Sequence, residues 1–274
     1  MTAEHSMLSS LQNPRVKQLI TLRDRRTRDE AQQFIIEGYR ELLRATDAKC
    51  KIDTLFICPE LFLGTNEAAL IKRIEGTGAT VFVCTDKVFK KMSYRDRPDG
   101  LLAISPQQHK ELKDIVLKEN PFFIVAEAIE KPGNLGTILR SSDAVGLDAL
   151  ILCDRCTDIH NPNVVRASVG TLFTVPVIEA GGKETLQWLK KNGISILAAT
   201  PSAEHEFTEV DLTKPIAIAV GTEQLGLSPL WMENADIKVR IPMRGVADSL
   251  NVAMATTLLL YETVRQRKEK SIPT

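Results

Sequence analysis

The chain has 274 residues, with 35 basic and 35 acidic side chains and 43% hydrophobic residues. That size suggests about two domains, each with an ordinary globular composition and able to build a core without disulfides or metal. The five cysteines, an odd number, argue against a disulfide framework and for a reducing compartment, and no apolar run is long enough to cross a bilayer.

The opening MTAEHSMLSSLQNP lacks an apolar core of signal-peptide length, so a cytoplasmic location with no membrane partner is expected. Asn13-Pro14 predicts a cap and first turn, followed by helix through Arg28 with a weak apolar stripe of Leu19, Ile20 and Leu22. Residues 1–110 carry 18 Lys+Arg against 14 Asp+Glu, and the remainder 17 against 21. Most of the excess is early: Arg15, Lys17, Arg23, Arg25, Arg26 and Arg28. Such a cluster can grip phosphates, but the interleaved Asp24, Asp29 and Glu30 fit a solvated helix face better. Strands are predicted at 34–36, 55–58, 80–84 and 101–105. Helices are predicted at 39–45 and 67–75, with a helical turn at 88–92. This alternation describes a small α/β module. The polar stretch Pro106 to Asn120 has helical composition and predicts a linking helix. The expected domains are therefore 1–108 and 118–268.

The second half alternates more regularly. Strands are predicted at 122–126, 149–153, 173–177, 194–199, 216–220 and 237–241. Helices are predicted at 134–145, 183–191 and 249–266, with a further one beginning at 164–169. Apolar strands alternating with helices mean a mostly parallel sheet covered on both faces.

Ligands of such sheets bind beyond the carboxyl ends of the strands, and three loops there carry candidates. In EKPGNLGTILR, Glu130 to Arg140, Pro132 and Gly133 break the chain, Asn134 is placed to cap a helix, and Arg140 follows about two turns later. The glycine fingerprints of nucleotide loops are absent, and alone this loop reads slightly better as a capped helix with a surface arginine. In VGTEQLGLS, Val220 to Ser228, two glycines flank Glu223, which suits either backbone wrapped around a ligand or a strand-to-helix turn. In IPMRGVADSLNVAMA, Ile241 to Ala255, Asp248 or Ser249 is placed to cap the final helix and Asn251 to sit in its first turn. That segment reads as a cap, or as Ser249 and Asn251 facing a site. The pair Cys153 and Cys156, with His160 nearby, is weak evidence for a metal, and none is expected.

In this order the three loops resemble the three motifs of the SpoU-type RNA 2′-O-ribose methyltransferases, a branch of the SPOUT superfamily, over Phe122 to about Glu262. FIIEGYRELL, Phe34 to Leu43, is similar to the N-terminal RNA-binding domain often fused to them. The resemblance implies an α/β fold whose C-terminal, mostly parallel sheet carries a deep trefoil knot. It implies S-adenosylmethionine in that knot, lined by Gly221, Ile241 and Leu250, with Thr200 and Met243 as further candidates. It also implies a homodimer with the active site near the subunit interface. Family precedent puts Arg140 at the ribose hydroxyl as a base assisted by an RNA phosphate. Since arginine stays protonated, stabilising a developing alkoxide is the easier role, and Glu223 is the alternative base. Asn134, Ser249 and Asn251 would position the reacting groups. The implied substrate is RNA, ribosomal rather than transfer RNA because of the separate N-terminal domain. Transfer RNA methylation and a non-catalytic RNA-binding role are the alternatives.

Overall fold

Side-chain alternation builds the first half of the molecule, because successive strand residues face opposite sides of a sheet. The computed structural model describes residues 5–154, 157–222 and 224–270, which fall into two compact units.

The first unit runs to Gln108 and includes Asp158–Thr174. Its elements are β1 (Ser6–Leu8), α1 (Pro14–Thr21), α2 (Arg25–Ala31), β2 (Gln33–Glu37), α3 (Tyr39–Asp47), β3 (Thr54–Ile57), α4 (Glu67–Glu75), β4 (Thr80–Cys84), α5 (Asp86–Met92) and β5 (Leu101–Pro106). The sheet order is β1-β4-β3-β5-β2. The first three strands are mutually parallel, and β5 runs antiparallel to both β3 and β2. Phe34, Ile36, Leu55, Ile57, Val81 and Leu101 pack on one face with Leu42 and Leu70. Ile35, Phe56, Phe82, Leu102 and Ile104 pack on the other with Val16, Leu19 and Phe89.

The helix expected through Arg28 is two helices. The Asp24 side chain accepts the Thr27 N–H at 3.1 Å and starts a new one, while Asn13 caps the first as expected. The early basic cluster is largely committed elsewhere. Arg28 is buried and pairs with Asp158 at 2.7 Å. Arg23 donates to the carbonyls of Lys91, Met92 and Ser93. Arg25 and Arg26 pair with Asp29 and Glu30 one turn on.

Asp158–Thr174, which the boundary at 118 assigns to the second half, packs with the first unit. Its Val165, Leu172 and Phe173 join the Phe34–Ile36 face of the core.

The second unit holds the remaining described residues, 109–154, 157, 175–222 and 224–270. The predicted linking helix is absent; only a 3-10 turn, Leu112–Asp114, forms between the sheets' sequences. The elements that follow in the chain are β6 (Phe122–Glu127), α6 (Pro132–Val145), β7 (Ala149–Cys153), α7 (Pro162–Ala167, the helix of the first unit's segment), β8 (Val177–Ala180), α8 (Gly182–Lys191), β9 (Ser195–Ala199), β10 (His205–Glu206), β11 (Ile216–Val220), α9 (Pro229–Asn234), β12 (Ile237–Arg240) and α10 (Val252–Lys270). The strand expected at 173–177 starts only at Val177. Gly170 turns left-handed at φ 82° into a 3-10 turn over Thr171–Phe173, and Pro176 has no N–H to give a ladder.

All seven strands of the second sheet are parallel, in the order β10-β12-β9-β11-β6-β7-β8. The central strands β6, β7 and β11 are buried throughout, which explains their unbroken apolar sequences. One face packs Phe123, Val125, Ile151, Ile196 and Ala219 against Leu186, Leu189 and the fully buried Trp231 of α8 and α9. Helix α10 packs on α6 and β11. No helix among the described residues is long and apolar enough to cross a membrane.

Candidate cofactor cavity and active site

A cavity of about 640 Å³ opens beyond the carboxyl ends of β9, β11 and β12, where a parallel sheet leaves strand-end backbone groups and loops to form a site. Thr200, Gly221, Ile241, Met243 and Leu250, the five residues expected at the cofactor, all line it. Ser249 lines it as well. Its walls are otherwise mostly apolar, with Val220, Leu227, Met232 and Val252, and Thr222 and Gln224 add polar groups. Volume, apolar walls and a few polar groups suit a nucleoside-sized ligand. A flat base and an aliphatic chain find apolar surface here, and loop backbone, hydroxyls and the Asp248 carboxylate can meet the polar and charged parts. On these grounds the cavity fits S-adenosylmethionine.

The loop after β11 shapes this cavity. Thr222 and Gly226 exchange two backbone hydrogen bonds of 3.1 Å, and Thr222 Oγ1 accepts the Leu225 N–H at 3.0 Å. Gly226 turns at φ 66°. Gly221 is required by its own loop: an added Cβ would lie 2.1 Å from the Gly226 carbonyl oxygen. The two glycines expected to wrap a ligand therefore first close the chain on itself. Glu223 lies outside the described residues.

Sequence reading missed Glu127. It ends β6 and is buried, and its carboxylate accepts the Ser228 N–H at 2.7 Å, tying β6 to this loop. The one available signal was a charged residue closing an apolar strand, which is easily taken for the strand's solvated end.

Helix α6 starts at Pro132, so Asn134 sits in its first turn and does not cap it. Asn134 instead accepts from Asn251 Nδ2 at 3.1 Å. It lines a cavity of about 90 Å³ with Lys131 and Gln224, adjoining the larger one through Thr222, Leu225 and Val252. Asn251, expected in the first turn of the last helix, is its cap. Its Oδ1 accepts the Ala253 N–H at 3.0 Å, so Asp248 and Ser249 do not fill that role. An amide serves both ends because it holds donors and acceptor together.

Arg140 is exposed on α6, lines neither cavity, and makes no hydrogen bond or ion pair among the described residues. Beside it Ser141 meets Thr257 across α6 and α10, with 2.7 Å between hydroxyl oxygens. The structure thus brings together Thr200, Gly221, Ile241, Met243, Ser249 and Leu250, and links Asn134 to Asn251, but leaves Arg140 at the surface.

The CxxC reading finds no support in what is described. Cys156 lies outside the described residues. Cys153 is buried, its thiol pushed up to about 12 by that burial, and it meets Thr185 Oγ1 at 3.3 Å. His160 packs on Phe34 in the first unit, with ring centroids 4.6 Å apart.

The model of the SpoU rRNA methylase family matches residues 121–261, and that of the MRM3-like substrate-binding domain matches residues 13–103. The chain is 29% identical to the 23S rRNA (uridine(2479)-2′-O)-methyltransferase of Streptomyces viridochromogenes, over 91% of this chain and 88% of that one. It is 25% identical to the 23S rRNA (guanosine(2553)-2′-O)-methyltransferase of Bacillus subtilis, over 93% and 97%. The crystal structure of an AdoMet-bound rRNA methyltransferase from Sinorhizobium meliloti superposes with a TM-score of 0.87 at 31% identity, covering 95% of this chain and 97% of that one. With three motif loops converging at the ends of a parallel sheet and a family match across that whole sheet, the chain belongs to the SpoU rRNA methylase family.

Proposed function

We propose that this protein transfers a methyl group from S-adenosylmethionine to a ribose 2′-hydroxyl of ribosomal RNA. The observation that carries the reading is the cavity at the ends of β9, β11 and β12, in which all five candidate cofactor residues meet. The relatives act on different nucleosides, a uridine and a guanosine, so the proposal names the ribose and not the base. The trefoil knot implied by the family resemblance and a cytoplasmic setting belong to the same proposal.

When bound, the cofactor supplies a methyl already activated on a sulfonium, so the protein's part is alignment and management of charge. Thr200, Gly221, Ile241, Met243 and Leu250 hold the cofactor. The Asn134–Asn251 link sets the spacing of α6 and α10 at the adjoining small cavity, where the ribose enters. Ser249 faces the cavity and positions the ribose or the cofactor. Arg140, permanently charged, stabilises the developing alkoxide, and Glu223 is the carboxylate offered for the departing proton.

Since Arg140 stands outside the cavities of its own chain, a second copy completes the site. Helix α10 carries Met254, Leu258 and Tyr261, 42–56% exposed, along one face at helical spacing. We assign that face to a homodimer interface.

The test supplies labelled S-adenosylmethionine and total RNA, then maps alkali-resistant ribose sites. Label in ribosomal RNA supports the reading, and label confined to transfer RNA transfers it to that substrate. Cofactor binding without transfer to any RNA would leave a non-catalytic RNA-binding protein. Arg140→Ala is expected to abolish transfer while largely sparing cofactor binding, and full activity in that variant would overturn its role.

A further inference from the structure

The first unit holds a larger cavity, of about 810 Å³, whose wall includes Tyr39, Arg40, Leu63, Arg95, Arg97 and Arg166. The turn Glu37-Gly38-Tyr39-Arg40 organises it. Gly38 has φ 112°, and a Cβ there would lie 2.4 Å from Glu41 Oε2 and 2.5 Å from Arg95 Nη2. The Glu37 carboxylate accepts the Tyr94 N–H at 2.8 Å and the Ser93 hydroxyl, which sets the loop that carries Arg95 and Arg97.

The cavity's carboxylates and guanidiniums are not equivalent. Glu41, Glu67 and Asp99 are buried and serve internal partners. Glu41 takes Arg95 at 2.6 Å, Asp99 takes the Tyr39 N–H at 2.8 Å, and Glu67 takes the Gly64 N–H at 2.8 Å. Arg40, Arg97 and Arg166 are exposed. Arg40 and Arg97 have no hydrogen bond or ion pair among the described residues, and Arg166 has a 3.3 Å bond to Asn163. Against these three cations the wall sets one exposed carboxylate, Asp96. The wall also carries the Tyr39 ring and Leu63, which is 82% exposed.

Uncommitted guanidinium forks match phosphate oxygens. A tyrosine ring and an exposed leucine beside them suit flat, apolar groups on the same ligand. A strand of unpaired RNA presents both, whereas duplex RNA hides its bases. We propose that this cavity binds an unpaired stretch of the substrate RNA, with Arg40, Arg97 and Arg166 on its phosphates and Tyr39 against a base. Arg166 lies outside the residues matched by the substrate-binding family model, so the contact extends beyond that domain. The assignment rests on the RNA-methyltransferase reading for its ligand.

The test measures equilibrium binding of the full-length protein to a short mixed-sequence single-stranded RNA, and to its duplex, over a range of salt. Arg40→Ala/Arg97→Ala/Arg166→Ala is expected to weaken single-strand binding at least tenfold at physiological salt. It should also lower the slope of log affinity against log salt by about 2, since each single-strand phosphate contact contributes roughly 0.7. Cofactor affinity and melting temperature should hold. Arg26→Ala/Lys87→Ala/Lys90→Ala removes equal charge elsewhere in the unit and should leave the slope nearly unchanged. Equal losses in both triple variants, an unchanged slope in the first, tighter wild-type binding to duplex than to single strand, or no wild-type RNA binding would each overturn the proposal. If the wild type methylates no RNA yet the first triple variant selectively loses single-strand binding, the activity reading fails and this contact stands.

Discussion

Gly221→Ala isolates the loop that shapes the cofactor cavity. Its Cβ would meet the Gly226 oxygen at 2.1 Å, the Gly226 carbonyl carbon at 2.3 Å and the Leu227 nitrogen at 2.5 Å. Real Cβ contacts essentially never fall below 3.0 Å, so the backbone must separate by about 0.9 Å. These are main-chain atoms, and no rotamer change relieves them. The separation stretches the paired Thr222–Gly226 bonds and pulls against the anchor from Glu127 to Ser228. Losing the two paired bonds at about 1 kcal/mol each, with overpacking of about 1 kcal/mol or more, gives a penalty of about 3 kcal/mol or more. If the loop yields locally, that penalty falls on the bound form and weakens S-adenosylmethionine binding by roughly 150-fold or more. If the whole unit absorbs it, the melting temperature drops instead. Isothermal titration calorimetry with a thermal melt distinguishes the two. Wild-type affinity together with a wild-type melt would refute the argument that the loop closes on its own backbone at Gly221.

Arg28→Ala should destabilise the protein by about 3–5 kcal/mol in a denaturant titration, because it strands the buried Asp158; a loss below 1 kcal/mol would refute a buried pair. Burial raises the Asp158 pKa, but hydrogen bonding and charge from Arg28 outweigh it and hold the carboxyl below its ordinary value. A depressed folded-state pKa means the stabilisation is complete above the unfolded value, about 3.9, and is lost as pH falls through the lower folded value. Wild-type stability should therefore decline on acidification below about pH 4 more steeply than that of Asp158→Asn. Asn251→Ala removes the cap of α10 and the link to Asn134. We expect about 1 kcal/mol of lost stability and a larger fall in methyl transfer than in cofactor binding, read by thermal melts and a transfer assay. Cys153, buried with its thiol pushed up to about 12, should resist alkylation by iodoacetamide at pH 8 in the native protein, and rapid labelling there would contradict its burial.

Much was legible in the chain because short-range rules dominate there. Unbroken apolar strands such as 122–126 and 216–220 announced a doubly covered parallel sheet, since burial on both faces leaves no polar alternation. Asn13-Pro14 announced a helix start because the capping oxygen lies two residues from its donor. The family resemblance, not a local rule, named Thr200, Gly221, Ile241, Met243 and Leu250 for the cofactor, and one cavity is lined by all five. Errors arose where the decisive partner was distant in sequence. Arg28 looked like one of six surface cations, but its carboxylate is 130 residues away. Asn134 looked like a cap, but its partner is 117 residues away on another helix. Glu127 drew no notice because the amide it holds is 101 residues on. Local patterns encode the elements because their interactions close within a few residues. Which polar groups become buried partners, and which arginines remain free for a ligand, depends on long-range pairings that only the tertiary structure settles.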